Sequence, residues 1–518
     1  MRLESHQILY LYPHGEDAQA AWIIIKELQR QNWFPICEIM FVDDKNPQTS
    51  LENLRNKITT NGVLWVLHQD RKMFRKLCAN AADIPFADGI ENLKGVLYQA
   101  IEKLDKNEIL QNHHNDATML LNYASYFMLH FWISLDEDSA FVQIMKRLSE
   151  DISAYFATQF CITNNTIAVA STHFSSGKHL GEIGKKLEAM GQEVVYVVND
   201  EQSLQKLPKN AICCPLQLGY MGILLRIFRL YVTCQMPLTA PNWGQKVIYV
   251  SHAYIDPIAA LAQRNRPLDD FWFSKKMGIN GYRMVPSMSN YLILKDKFAE
   301  YGYQDELVCA GYPSLDGYIA AYHRTANISA RGGGDILIAI NEHSSAHLIY
   351  DVLQELRKNY NHQPIATTQK IIFRPHPSFH KTSLYKKIYH EFHAHDWFIY
   401  DTSARLSAET MHACGCLIGD FSSLVYTFPL CTLKPAILLI PKESLQNTYN
   451  GVGFYNPILH FYATNVIECL QSIEIIAQED KQQRAQNIKE FREKEVFHLG
   501  DSSAFIATFI AQKLQETL

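Results

Sequence analysis

The chain has 518 residues, of which 47% are hydrophobic and 19% charged, and its formal charge is −5. That length corresponds to about three domains with ordinary hydrophobic cores; the slight acidity excludes a global electrostatic footprint for nucleic acid and leaves room only for a local basic surface toward an anionic substrate. The eleven cysteines contain no CxxC pair, and the N-terminus MRLESHQILYLY has no basic stretch followed by a long apolar one, so a reduced, cytoplasmic protein is expected.

In chain order, ILYLY (8–12), AQAAWIIIKELQRQ, ICEIMFVDD and GVLWVLH read as strand, helix, strand and strand, by their alternation of β-like runs with helical periodicity. They predict a small α/β domain of unassigned role over 1–112, in which PHGED (13–17) is a plain loop. The most apolar stretch, MLLNYASYFMLHFWISL (119–135), is interrupted by Asn122 and His130; it is short of a membrane span and is expected as a buried helix in a helical connector over 113–161. TIAVAST (166–172), the helix HLGEIGKKLEAMG (179–191), EVVYVVND, AICCPL and KVIYVSH (246–252) predict a Rossmann-type unit over 162–330. Within it, YMGILLRIFRLYV (220–232) reads as an amphipathic helix with Arg226 and Arg229 in solvent. A helix lying in a membrane interface would look similar, which leaves peripheral contact with the inner face of the cytoplasmic membrane open.

At 331–335 the run RGGGD reads as a flexible linker. After it, DILIAI, a helix over 345–359, KIIFRPHP, WFIYD, CGCLIGD and AILLIP predict a second Rossmann-type unit over 331–480, followed by a C-terminal helical segment over 481–518. The expected fold class is α/β: a pair of doubly wound domains with a cleft between the C-terminal ends of their strands, plus the additional N-terminal domain.

RPHP lies where strand KIIF should end, and its two prolines hold Arg374 and His376 in extended backbone. A guanidinium fork and an imidazole on such a loop suit an anion; a rigid strand exit with His376 bonded to backbone is the structural alternative. In CGCLIGDFSSLVYTF, Asp420 is expected to cap a helix whose first turn carries Ser422 and Ser423, and free N–H groups there with two hydroxyls form a phosphate cradle. KVIYVSHAYIDP sets His252 at a strand end of the other unit, where it can take a proton from an attacking hydroxyl; a satisfied core histidine is the structural alternative. CAGYPSLDGY (309–318) reads as a tight turn near the domain junction, through Gly311 and Pro313. The cluster HEFHAHD (His390, His393, His395) fits no standard zinc spacing, and no metal site is expected.

This order of pieces resembles the CDP-glycerol glycerophosphotransferase family, the teichoic-acid and capsule-type polyol-phosphate transferases of bacteria. The matching positions are His252, Gly311, Tyr312, Pro313, Asp316, Arg374, His376, Pro377, Asp420, Ser422 and Ser423, and the closing FHLGDSSAFIA (497–507) resembles the family's C-terminal Gly/Ser segment. The resemblance covers roughly 165–515 and leaves 1–160 outside it. It implies a GT-B fold, catalytic His252 and His376, a donor-phosphate site of Arg374, Asp420, Ser422 and Ser423, and a nucleotide cleft formed by Gly311, Tyr312, Pro313, Asp316, Asn341, Ser502 and Ser503.

Implied partners are a CDP-polyol donor and a glycan or lipid-linked acceptor, with no nucleic acid and no cofactor beyond a divalent ion such as Mg accompanying the diphosphate. Three positions depart from the family pattern: Ala253 follows His252 in place of glycine, Ser314 replaces an arginine, and Thr427 stands where an acidic residue is usual. The donor therefore stays open between a CDP-polyol and a CMP-sugar or other nucleotide-sugar, since bacterial GT-B sialyltransferases and Kdo transferases also use HP and SS motifs. A non-catalytic nucleotide- or glycan-binding component is the third reading.

Overall fold

The computed structural model describes residues 7–68, 70–104, 114–131, 139–163, 165–171, 174–198, 201–213, 228, 230–234, 246–255, 258, 281–325, 334–340, 343–362, 369–376, 382–403, 405–442, 448–449 and 452–516. Three parallel sheets organise the chain. In the first, β1 (Ile8–Tyr12), β2 (Ile39–Phe41), β3 (Gly62–Val66) and β4 (Phe86–Asp88) run in the order β2-β1-β3-β4.

The second contains β5 (Ile167–Ala170), β6 (Val194–Val198), β7 (Ala211–Cys213), β8 (Leu230–Thr233), β9 (Lys246–Val250), β10 (Gly281–Val285) and β11 (Glu306–Cys309), in the order β11-β10-β9-β8-β5-β6-β7. The third contains β12 (Asp335–Ile340), β13 (Ile371–Pro375), β14 (Phe398–Tyr400), β15 (Cys414–Gly419) and β16 (Ala436–Leu439). After the separate hairpin of β17 (Thr448–Tyr449) and β18 (Val452–Gly453), β19 (His460–Ala463) completes it in the order β14-β13-β12-β15-β16-β19. Runs such as IAVA, DILIAI and CGCLIG are nearly all apolar because both faces of a parallel sheet are covered. The second and third sheets are the two Rossmann-like lobes of a GT-B arrangement.

Two local expectations are corrected. Leu230–Thr233 is a strand between β5 and β9, where the sequence reads as the end of a helix; residues 220–227 and 229, with Arg226 and Arg229, lie outside the described residues. A short apolar run fits either period, and central burial decides it in favour of the strand: Leu230, Tyr231 and Val232 are all within 3% of full burial. The expected helix over 179–191 is a 3-10 turn, Phe174–His179, followed by a helix only over Ile183–Ala189. Gly181 interrupts it at φ +56°, where a Cβ would come within 2.6 Å of Pro313 Cβ and 2.8 Å of Ser503 Oγ.

Packing ties the sheets together. The helices Gly89–Glu102, His114–His130 and Ala140–Gln159 form a layer between the first two sheets, and one core runs from Leu9 and Trp65 through Leu97, Phe127 and Met145 to Ala168, Tyr231 and Tyr249. The middle helix contains the apolar stretch as far as His130, whose ring bonds Asp17 of the PHGED segment at 3.0 Å. Among the described residues no helix is long and apolar enough to cross a membrane.

The helix Pro313–Thr325 packs on the helices Ala408–Ala413 and Leu424–Thr432 of the third sheet. Tyr254, Tyr312 and Leu315 accordingly share a core with Leu417, Tyr426 and Phe428. The terminal helix Ser502–Glu516 returns to the second sheet, burying Ile506, Ala507 and Ile510 against Leu180, Leu187 and Ile248. Lys434 explains the lysine of LKPAILL: its ammonium donates to the carbonyls of Met411, His412 and Cys414 at 3.0, 3.0 and 2.7 Å and so closes the C-terminal end of the Ala408–Ala413 helix.

His460, 2% exposed, accepts from Asn456 N at Nδ1 and donates from Nε2 to Val425 O, both at 3.0 Å. Burial pushes its pKa down to about 3, so below the ordinary imidazole range the unfolded chain binds a proton that the folded one refuses. Stability contributed by the neutral ring is therefore present above about pH 6.5 and lost as pH falls toward 3. Lowering pH from 7.5 to 5.5 is expected to cost about 1.4 kcal/mol through this residue. Urea unfolding checks it: His460→Gln should lack that part of the pH dependence.

Candidate active site

Strand order places the cleft. In the second sheet the winding runs from β5 outward to β7 on one side and through β8 to β11 on the other; in the third the same reversal falls between β12 and β15. Ligands bind in the crevice beyond the carboxyl ends of strands at such a switch point. The segments leaving β5, β9, β13 and β15 carry Lys178 and His179, His252, His376, and Asp420 to Ser423 respectively.

These loops bring the two lobes' histidines into electrostatic contact. His252 and His376 keep exposed surface, yet the protein crowded around each holds its pKa below the ordinary imidazole value. For His252 the desolvation is reinforced by the charges of Lys178 and His376; for His376 it is reinforced by Lys178. Lys178 is itself lowered by burial first, and then by Arg405 and Arg374.

Lys178 makes no hydrogen bond or ion pair among the described residues. A partly buried ammonium without a carboxylate is costly unless an anion answers it. Behind His252 stands His179, 8% exposed, with the two ring centroids 4.4 Å apart; burial and the neighbouring charges push its pKa down to about 2.

The other residues expected in the site divide sharply. Arg374 directs Nη1 to Asp401 Oδ2 at 2.5 Å and Ser403 Oγ at 2.8 Å, and Nη2 to Ser403 O at 2.6 Å. Both terminal nitrogens are therefore engaged within its own lobe, and the residue offers charge rather than the free fork expected of it. Asp420 is fully buried and so cannot reach a phosphate, nor does it cap the helix. That helix begins at Leu424 with Ser423 as its N-cap, while Ser422 Oγ accepts from Leu424 N at 3.3 Å. Ser422 and Ser423 are partly exposed at this helix start, the position a phosphate cradle requires.

GYPSLD and FHLGDSS meet each other. Asp316 accepts from Gly500 N at 2.6 Å and Ser502 N at 2.8 Å, capping the terminal helix. Gly311 has φ +82°, and a Cβ there would lie 2.2 Å from Phe497 O and 2.4 Å from Ser502 Oγ. Ser502 is fully buried and Ser503 Oγ accepts from Glu182 N at 3.2 Å. Gly311, Pro313, Asp316 and Ser502 therefore form a latch between segments distant in sequence, of which Pro313 and Asp316 also line the cavity between the lobes, whereas buried Tyr312 reaches the site through its hydroxyl. Asn341 and Pro377 lie outside the described residues.

Beyond Lys178 a cavity of about 980 Å³ opens between the lobes, lined by Ser171, Val197, Tyr318, Leu406 and six cations, Lys178, Lys185, Lys186, Lys206, Arg324 and Arg405. Three carboxylates share the wall. Of these, Glu182 pairs with Lys185 at 3.4 Å and Asp316 is taken by the latch. Such a surface suits an anionic or polyhydroxylic molecule. Among the described residues no group of three or more His, Cys, Asp or Glu side chains could hold a metal ion. His393 of the HEFHAHD cluster bonds the carbonyl of Tyr389 at 2.9 Å.

No family model matches the sequence, and no curated protein matches it. Solved structures do. The wall teichoic acid polymerase TagF is 15% identical, with 72% of this chain and 95% of that one covered at a TM-score of 0.49. S. aureus MnaA, solved with UDP, is 12% identical, covering 68% and 97% at 0.44. The UDP-GlcNAc 2-epimerase of Methanocaldococcus jannaschii is 13% identical, covering 67% and 99% at 0.42. At these identities the likeness is one of fold.

Sequence reasoning missed Lys178, His179 and Arg405. A signal existed for the first two, since SSGKH directly follows the first strand of its lobe, where the switch point lies; Arg405 had none, as it sits in an irregular loop. Replacing Lys178 by Met should raise the pKa of both His252 and His376, because the positive charge that depresses them is gone, and should weaken pyrophosphate binding by about tenfold or more. NMR titration of the imidazoles and calorimetry check the two effects.

Proposed function

We propose that the protein transfers a polyol phosphate, glycerol- or ribitol-phosphate, from a CDP-activated donor to a hydroxyl of a cell-surface glycan or lipid-linked acceptor, releasing CMP. The observation that carries this reading is the pairing of His252 with His376 across the cleft, around an ammonium, Lys178, that has no carboxylate partner among the described residues. The motif resemblance to polyol-phosphate transferases supports the same donor class.

In this reading the acceptor hydroxyl loses its proton to the neutral imidazole of His252 as its oxygen bonds to the distal phosphorus. The bond from that phosphorus to the bridging oxygen breaks, and CMP departs with the electron pair. A depressed pKa keeps His252 unprotonated at neutral pH, as a general base requires. Phosphoryl transfer depends mainly on positioning and charge neutralisation. Lys178 and Arg405 supply charge, neutral His376 donates a hydrogen bond, and the Ser422–Ser423 helix start holds phosphate oxygens. The basic cavity between the lobes takes the acceptor, and the enzyme works at the cytoplasmic face of the membrane.

CMP release from CDP-glycerol or CDP-ribitol, with an acceptor extract present, tests the proposal. His252→Ala should lower turnover by about 10² to 10⁴ and His376→Ala by about 10² to 10³, with both variants folded. Wild-type turnover in either variant removes that residue from the mechanism. A product without a phosphodiester, formed from a CMP-sugar, would replace the polyol-phosphate reading by glycosyl transfer.

A further inference from the structure

We infer that His179 is a positioning residue for His252: a neutral imidazole carrying its proton on Nδ1, which orients the base by way of Tyr312. The inference rests on His252 being the base. Its starting point is a count of protons along three groups. Tyr312 Oη lies 3.0 Å from the carbonyl oxygen of His252 and 2.8 Å from Nδ1 of His179. A carbonyl can only accept, so the single phenolic proton points at His252 O. Tyr312 Oη is then the acceptor toward His179, and Nδ1 must bear the hydrogen. The opposite tautomer would set the Tyr312 oxygen against an unprotonated partner at one contact or the other, with two lone pairs facing each other at 3.0 or 2.8 Å.

The His179 ring also backs the His252 ring, with centroids 4.4 Å apart and planes inclined by 34°. His179 is enclosed while His252 opens to the cleft, so the first is a fixed wall for the second. The charged and titratable groups around the pair are Lys178 beside it in sequence, Arg405 and His376 from the other lobe, and Tyr312. A protonated His179 would add another cation to this group; the neutral tautomer braces His252 without doing so. A residue serving packing alone would be indifferent to which ring nitrogen holds the hydrogen.

That difference is the test. The amide nitrogen of asparagine can stand where Nδ1 stands, and that of glutamine where Nε2 stands. His179→Asn is expected to keep turnover within about threefold of wild type, while His179→Gln and Tyr312→Phe lower kcat by about 10- to 100-fold with little change in KM for CDP-glycerol. Independently of turnover, long-range ¹H–¹⁵N NMR of the wild-type protein should show His179 as the Nδ1–H tautomer from pH 5 to 8. Glutamine equalling asparagine, an Nε2–H tautomer, or titration of His179 within that range each overturns the inference. Should the asparagine variant not fold, the tautomer spectrum decides. If His252→Ala turns over normally, the base assignment fails and the orienting role with it; if His252→Ala is inactive and the asparagine–glutamine order reverses, only the role of His179 fails.

Discussion

Positive charge held without a counter-charge among the described residues is the constraint on which the cleft depends. Three arginines elsewhere in the fold have carboxylate partners: Arg283 with Asp305 at 3.3 Å, Arg357 with Glu391 at 3.2 Å, Arg484 with Glu479 at 2.9 Å. Lys178, at the switch point of one sheet and facing the other lobe, is left among Arg405, Arg374 and three imidazoles. Local rules of polar satisfaction are broken where a ligand completes them. Desolvation, reinforced by that field, holds the histidines' pKa values down, so one arrangement supplies both an anion site and a base that is ready to accept a proton.

Such a field needs walls that do not relax, because a mobile cleft would let the cations separate. The wall is made by the terminal segment, which crosses back to the second sheet and is capped by Asp316. Gly311 and Gly181 allow three backbones to approach within contact of one another at this crossing. Gly181 and Glu182, just after the 3-10 turn bearing Lys178 and His179, meet Pro313 and Ser503 there, and Tyr312, one residue before Pro313, carries the contact to His252. Latch and site are thus two sides of one packed junction.

Much of the fold was legible. Long apolar runs bounded by turn residues gave most strands of all three sheets, because a strand buried on both faces must be apolar throughout; FAD (86–88), GYRMV (281–285), ELVC (306–309) and HFYA (460–463), which carry polar or charged residues, do not read as strands in the sequence. Two misreadings have separate causes: LYVT could satisfy either period, and HLGE looked helical until Gly181 was seen to meet Pro313. Strand ends were legible as well, so SH, RPHP and GDFSS could be placed at the cleft by topology alone.

The sequence by itself determined which loops would face a ligand, since that follows from strand direction and order of alternation, both local properties. Tertiary structure decided which side chains in those loops remain for the ligand. Arg374 is engaged by a carboxylate 27 positions away and Asp316 by a backbone amide 186 positions away, and Asp420 is buried by packing. His179 gains its meaning from a tyrosine 133 positions on. Whether a polar group is satisfied depends on what approaches it in space, and no local pattern carries that information.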